Sequence, residues 1–364
     1  MAPESSTSEA ASATSSTEVD ERGWRRLLPR PLIVAFSILF AAPGGIIFAG
    51  NSLTPPPQAN PLITIGLEPS QAAAPSTDQT GLRAPRSLAG HLVSDPALIE
   101  DSALGPLPVV ARDGRMPMQV YANAVERTDK RPRIAVVITG LNVGAAATKS
   151  ALMNLRAEIT LGFSPFGADA QSSVDRAREA GHEVLVEVPM EPFDFPESDP
   201  GPHALLVAAG VDENVARLMW SMSRFTGYVG VTNLLGGRFL GEQKAIEPVL
   251  SETARRGLLF FDDGVNASSL ALTAARHVKA SIATGTVMLD AIQTREAIDK
   301  KLVELEAEAR RNGSAVGVGS VYPVTIARIA EWTHGVNARG LALVPISALA
   351  TVPAQQEASR PTGQ

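Results

Sequence analysis

Between Arg133 and Ile346 the chain alternates short apolar runs with stretches of helical period, and this alternation restricts it to a mainly parallel sheet joined by crossover helices. The first run, Arg133-Ile-Ala-Val-Val-Ile-Thr139, is apolar and β-branched at successive positions, as a strand covered on both faces requires. Seven further runs follow: Ile159 to Phe163, Glu183 to Val188, Tyr228 to Thr232, Leu258 to Phe261, Ile282 to Leu289, Ala315 to Gly319 and Leu341 to Ile346. Helical stripes separate them. Val215, Leu218, Met219 and Met222 recur after the capping candidate Asp212. Ile298, Leu302 and Leu305 line Glu296 to Arg310, closed by Asn312-Gly313. Pro323 stands where a first helical turn begins. The predicted fold is α/β, a distorted (β/α) barrel of seven to eight parallel strands, with an open doubly wound sheet as the alternative.

The domain so defined spans residues 131–350. Residues 1–30 form a Ser/Thr/Ala/Glu-rich tail, expected to be disordered, that ends in the basic flank Arg22, Arg25, Arg26 and Arg30. Residues 31–50 carry no charge and are long enough to cross a bilayer as a helix, although Pro43-Gly44-Gly45 interrupts them. Arginines on the N-terminal side predict an inner-membrane anchor with a cytoplasmic N-terminus and a periplasmic domain. A cleaved signal peptide, releasing the protein to the periplasm, is the alternative. Residues 51–130 are Pro/Ala/Ser-rich and read as a linker, and 351–364 as a polar tail.

Composition removes several functions. A net charge of −6 offers no basic face for nucleic acid. With no cysteine, thiolate catalysis, disulfides and thiolate-bound zinc are excluded. The five histidines (His91, His182, His203, His277 and His334) form no helical zinc motif. No G-x-S-x-G elbow is present, and the Gly313 to Gly319 segment leads into a strand rather than out of one.

Sites in this fold class lie at the C-terminal ends of strands. The segments there contain Glu187, Glu191, Asn233, Arg238, Asp262, Asp263 and Asp290. His203, in the loop after the third strand, is the one histidine placed to reach them. Carboxylates gathered at one rim can bind a cation or act as acid and base. Each also has a structural reading: Asp262 and Asp290 as helix caps, Glu191 paired with Arg238, and Glu187 as a strand residue facing the interior.

In order, these segments resemble the divergent polysaccharide deacetylase family from about Arg133 to Leu349. The carrying pieces are Gly181-His-Glu-Val-Leu-Val-Glu-Val-Pro-Met-Glu-Pro192, Gly201-Pro202, Val229-Gly-Val-Thr-Asn233 with Gly236 and Arg238-Phe239, and Gly257-Leu-Leu-Phe-Phe-Asp262. Leu289-Asp290, Gly317-Val-Gly319 and Leu341-Ala-Leu-Val-Pro-Ile-Ser347 complete the set. The resemblance implies a barrel in which a divalent metal, held by one Asp and two His, activates water against an acetyl group. This chain departs from that pattern. Thr139-Gly140 stands where the family tends to carry two aspartates, and Leu234 and Ser320 stand where it carries histidines. Leucine cannot ligate a metal and a serine hydroxyl is a poor zinc ligand, so no metal or other cofactor is expected.

Two main functions follow. One is a membrane-tethered envelope protein that binds carbohydrate or an envelope protein and has lost metal-dependent deacetylation. The other is an active polysaccharide deacetylase or hydrolase with a rearranged acidic site. Its catalytic candidates are Asp262, Glu187 and Asp290, and its substrate-binding candidates are Glu191, Asn233, Arg238, Asp263 and His203. A structural scaffold, its rim plugged by Leu234 and Met190, is a third.

Overall fold

The computed structural model describes residues 94–125, 128–167 and 169–352. The predicted tail, the apolar segment 31–50 and most of the C-terminal tail lie outside them. Among the described residues no helix is long and apolar enough to cross a membrane.

A hairpin of β1 (Ile99–Ser102) and β2 (Gly105–Pro108) and a short helix α1 (Pro117–Val120) come first. The alternation then runs β3 (Arg133–Leu141), α2 (Ala145–Asn154), β4 (Thr160–Phe163), α3 (Ala170–Glu179), β5 (Val184–Met190), α4 (Val211–Met222) and β6 (Gly230–Leu235). It continues through α5 (Gln243–Arg255), β7 (Leu259–Asp262), α6 (Ala271–Val278), β8 (Ser281–Thr284), β9 (Val287–Met288), α7 (Arg295–Asn312), β10 (Ser314–Ser320), α8 (Pro323–Thr333) and β11 (Ala342–Leu343).

The eight main strands are ordered β8-β7-β6-β5-β4-β3-β10-β9, every pair parallel. Taken as a ring, this is chain order from β3 to β10 with one break, between β8 and β9. A doubly wound sheet would reverse direction at its centre, and this one does not. The fold is therefore a distorted half-barrel. The break falls inside the single predicted strand Ile282 to Leu289, which the structure divides in two. Gly285 N donates to Asp262 O at 2.8 Å, and Thr286 N donates to Val316 O at 2.8 Å, so the chain crosses from the β7 side to the β10 side within two residues. A Cβ at Gly285 would sit 2.2 Å from Asp263 O, so only glycine permits this crossing.

Side chains alternate between two cores. Ile134, Val136 and Ile138 of β3 face outward, in one apolar layer with Leu218, Leu250, Leu305 and Ile329 of the helices. Ala135 and Val137, with Leu185, Leu259, Phe261 and Val316, face the concave interior. Among the described residues, only the lower end of that interior is filled.

Two segments fill it. The first is residues 94–125, which proline content assigns to the linker; the structure corrects that boundary. Leu98 and Tyr121 enter the inner core, and Leu107 the outer one. Tyr121 Oη accepts from Asp95 N at 3.0 Å, and the buried Arg256 donates to Pro108 O at 2.8 Å and to Glu100 Oε1 at 2.7 Å. The prolines mask this in the sequence because the segment has no sustained apolar period. The second is residues 342–351. There β11 takes the edge of β3 at Arg133–Ile134, below the point where β4 begins to pair. Ile346 N donates to Thr160 Oγ1 at 3.0 Å, and Thr351 forms an antiparallel bridge with Ile282 of β8.

Leu98→Ala is expected to lower the unfolding free energy by about 2–5 kcal/mol, the range for an emptied leucine site. Urea denaturation checks this, and a loss under about 0.5 kcal/mol, as at a surface position, would show that residues 94–125 are not part of the core.

Candidate functional site

The upper end of the concave face, at the C-terminal ends of the strands, is an open cleft of about 420 Å³. Thr139 of β3, Glu187 of β5, Asn233 and Leu234 of β6, Asp263 after β7, Met288 of β9 and Val318 and Ser320 of β10 line it. Pro192, Phe193, Asp194, Val265 and Asn266 form its rim. Met190 is buried in the outer core, so the plugged-rim scaffold finds no support in this geometry.

Glu187 occupies the floor because β5 alternates. Val186 and Val188 face the helices, which turns the residue between them to the interior. It is almost wholly buried, and Gly140 N donates to its Oε1. Gly140 has φ +84°, a conformation that suits glycine and turns the end of β3 toward this carboxyl. Burial pushes the Glu187 pKa from the usual 4.5 up to about 8, and the Gly140 hydrogen bond only partly opposes it. Thr232, its register partner on β6, is fully buried and its Oγ1 has no hydrogen-bond partner in the protein.

Asp263 lies across the cleft. Burial raises its pKa to about 6, with Asp262 adding to the rise and hydrogen bonds from Val265 N and the Asn233 contact opposing it. Asn233 is tied in place: its Oδ1 accepts from Asp263 N at 3.0 Å, and its Nδ2 donates to Leu235 O at 2.7 Å.

The remaining candidates do not line the cleft. Asp262 Oδ2 accepts from Ser269 Oγ at 2.7 Å, and its Oδ1 from Gly264 N at 3.0 Å, so it organises the turn into α6. Asp290 Oδ2 accepts from Ser320 N at 2.7 Å and Thr325 Oγ1 at 2.8 Å, fixing the start of α8 against β10. Glu191 joins three segments through Arg238 Nη1 (2.8 Å), Val207 N (2.6 Å) and its own carbonyl, which accepts from Arg238 N and Phe239 N. His203 stacks on Trp220 with centroids 3.6 Å apart, and Arg224 sits 4.8 Å from the same ring. Partial burial, with Arg224 and Arg217 nearby, lowers the His203 pKa.

Sequence reasoning missed Phe193, Asp194, Val265, Asn266 and Met288. Phe193 and Asp194 directly follow the Glu191-Pro192 segment, which was the available signal.

The divalent metal implied by the resemblance does not fit this donor set. Among the described residues no three His, Cys, Asp or Glu side chains are grouped to hold an ion. Leu234 and Ser320 both face the cleft, and both Asp262 oxygens already accept hydrogen bonds.

A family model described as divergent polysaccharide deacetylase matches residues 136–350. The uncharacterized protein YibQ of Escherichia coli (strain K12) is 25% identical over 204 residues, 56% of this chain and 62% of that protein. An uncharacterized protein of Haemophilus influenzae is 22% identical over 179 residues, 49% of this chain and 63% of that protein. The chain thus covers less than two thirds of the length of these curated relatives. The crystal structure of uncharacterized protein ATU2773 from Agrobacterium tumefaciens C58 is 42% identical, covers 67% of this chain and 99% of its own, and superposes with a TM-score of 0.66.

Because folding raises the Glu187 pKa, the native state holds a proton between pH 4.5 and about 8 that the unfolded chain releases. Stability from this group is full below 4.5 and declines toward pH 8, by about 1.4 kcal/mol per pH unit. Glu187→Gln is expected to remove that slope and to leave the variant more stable than the wild type at pH 8. Parallel unfolding curves of the two proteins from pH 5 to 8 would contradict it.

Proposed function

Given that this chain belongs to the divergent polysaccharide deacetylase family, we propose that it is a membrane-tethered cell-envelope protein that binds carbohydrate or an envelope protein in its cleft, with metal-dependent deacetylation lost. The observation that carries this reading is the pair Leu234 and Ser320. Both line the cleft, at the positions where the family pattern has histidine ligands. Without ligands there is no ion to lower the pKa of an attacking water. What the chain retains is a concave site of ligand size, lined by apolar side chains and a few polar groups.

The tether rests on the uncharged residues 31–50 and the arginines before them, which favour a cytoplasmic N-terminus and a domain in the periplasm. Release to the periplasm after cleavage is the competing fate.

A second reading, a metal-free hydrolase, is favoured by one observation. Glu187, protonated at neutral pH, and Asp263, titrating near 6, line the same cleft and offer an acid and a base.

Zinc, cobalt and nickel titrations by calorimetry are expected to show no tight stoichiometric binding. One ion bound tightly and lost in Asp263→Asn overturns the main reading. Acetate release from an acetylated glycan that survives chelator and falls at least about 100-fold in Glu187→Gln, the scale of general acid–base catalysis, establishes the second instead. For the tether, the full-length protein is expected to stay with the membrane after a carbonate wash. Recovery in the soluble periplasmic fraction, shortened at its N-terminus, shows the cleaved form.

A further inference from the structure

We propose that the cleft takes a peptide segment of a partner protein in which one lysine or arginine is flanked by apolar side chains. This rests on the binding reading given above and names the ligand of that same site.

Three features of the cleft carry it. The first is charge. Asp194 and Asp263 line it as carboxylates beside the protonated Glu187, and among the described residues no lysine, arginine or histidine does. Arg238, at the end of β6, is already paired with Glu191 at 2.8 Å. An anionic ligand would meet like charge at Asp194 and Asp263, whereas a cation finds a partner there. The second is the character of the walls. Phe193, Leu234, Leu235, Val265, Met288 and Val318 supply apolar walls. A sugar ring carries hydroxyls around its edge that need polar partners, and these walls leave most of them unpaired. Apolar side chains lose nothing there. The third is the rim, where the loops after β5 and β7 each hold a large apolar side chain in water: Phe193 (71% exposed) and Val265 (61%). A collar of this kind is a protein-contact signature, because exposed apolar side chains gain from being covered. Beneath it, the Glu187 carboxyl is presented to the cleft floor.

The probe is a displayed library of random 12-residue peptides, panned against the full-length protein in detergent. Enriched peptides are expected to share a lysine or arginine between apolar residues. Their affinity is expected to fall about tenfold in Asp263→Asn, about tenfold in Phe193→Ser, and further with added salt. Phe193 is exposed, so its replacement leaves the fold intact and keeps the test valid if Asp263→Asn is unstable. Enrichment of acidic or uncharged peptides overturns the proposal, as does binding indifferent to both substitutions. If no peptide is enriched but chitooligosaccharides or soluble peptidoglycan fragments bind and are lost in Phe193→Ser, the peptide inference fails and the binding reading stands. If neither class binds, both fail.

Discussion

A curled parallel sheet encloses a concave face whose volume its own strands cannot fill, and where the filling comes from decides where a ligand can go. In this chain the outer face is covered by the crossover helices and the inner face by parts lying outside the alternation. Leu98 and Tyr121 reach the interior from the segment before β3, and Val344 and Ile346 from the segment after α8. Both segments enter at the N-terminal ends of the strands, where Glu183 accepts from Asn123 N at 2.8 Å and from Ser347 N at 3.1 Å and so ties one to the other. Among the described residues the opposite end receives no such filler. The cleft is the unfilled half of the same interior, and its depth is set by how far the lower plug extends.

That division explains which parts of the structure could be read from the sequence. Strand runs such as Arg133 to Thr139 and Leu258 to Phe261 are legible because burial on both faces demands continuous apolar residues. The ring-like order follows from chain alternation and short connections. The plug is invisible to the same reasoning: the segment holding Leu98, Leu107 and Tyr121 spaces its apolar side chains irregularly among prolines, and its burial depends on residues far along the chain. The break between β8 and β9 is hidden for a related reason, since Gly285 matters only through its approach to Asp263 O, a contact between chain segments.

The site divides along another line. Position at a strand end placed Glu187, Asn233 and Asp263 in the cleft, because alternation and loop length decide which way those side chains turn. It could not separate them from Asp262, Asp290 and Glu191, whose oxygens accept hydrogen bonds from Ser269, Thr325 and Val207. Those partners lie seven, thirty-five and sixteen residues away in sequence, and nothing local announces them. A carboxylate that satisfies loop and helix-start donors stiffens the rim; one held in an apolar floor keeps its proton. The same residue type is thus a staple at one position and a protonated cleft-lining group at the other.

The filled lower end is also where the first and last described residues meet the fold. Ser94 lies beside Thr226, just before β6, and Thr351 pairs with the start of β8, so the chain enters and leaves this fold on the side away from the cleft. A reporter, an affinity tag or a sensor surface attached directly at Ser94 or Val352 would leave the mouth of the cleft clear. Such attachments are therefore suited to measuring what the cleft binds.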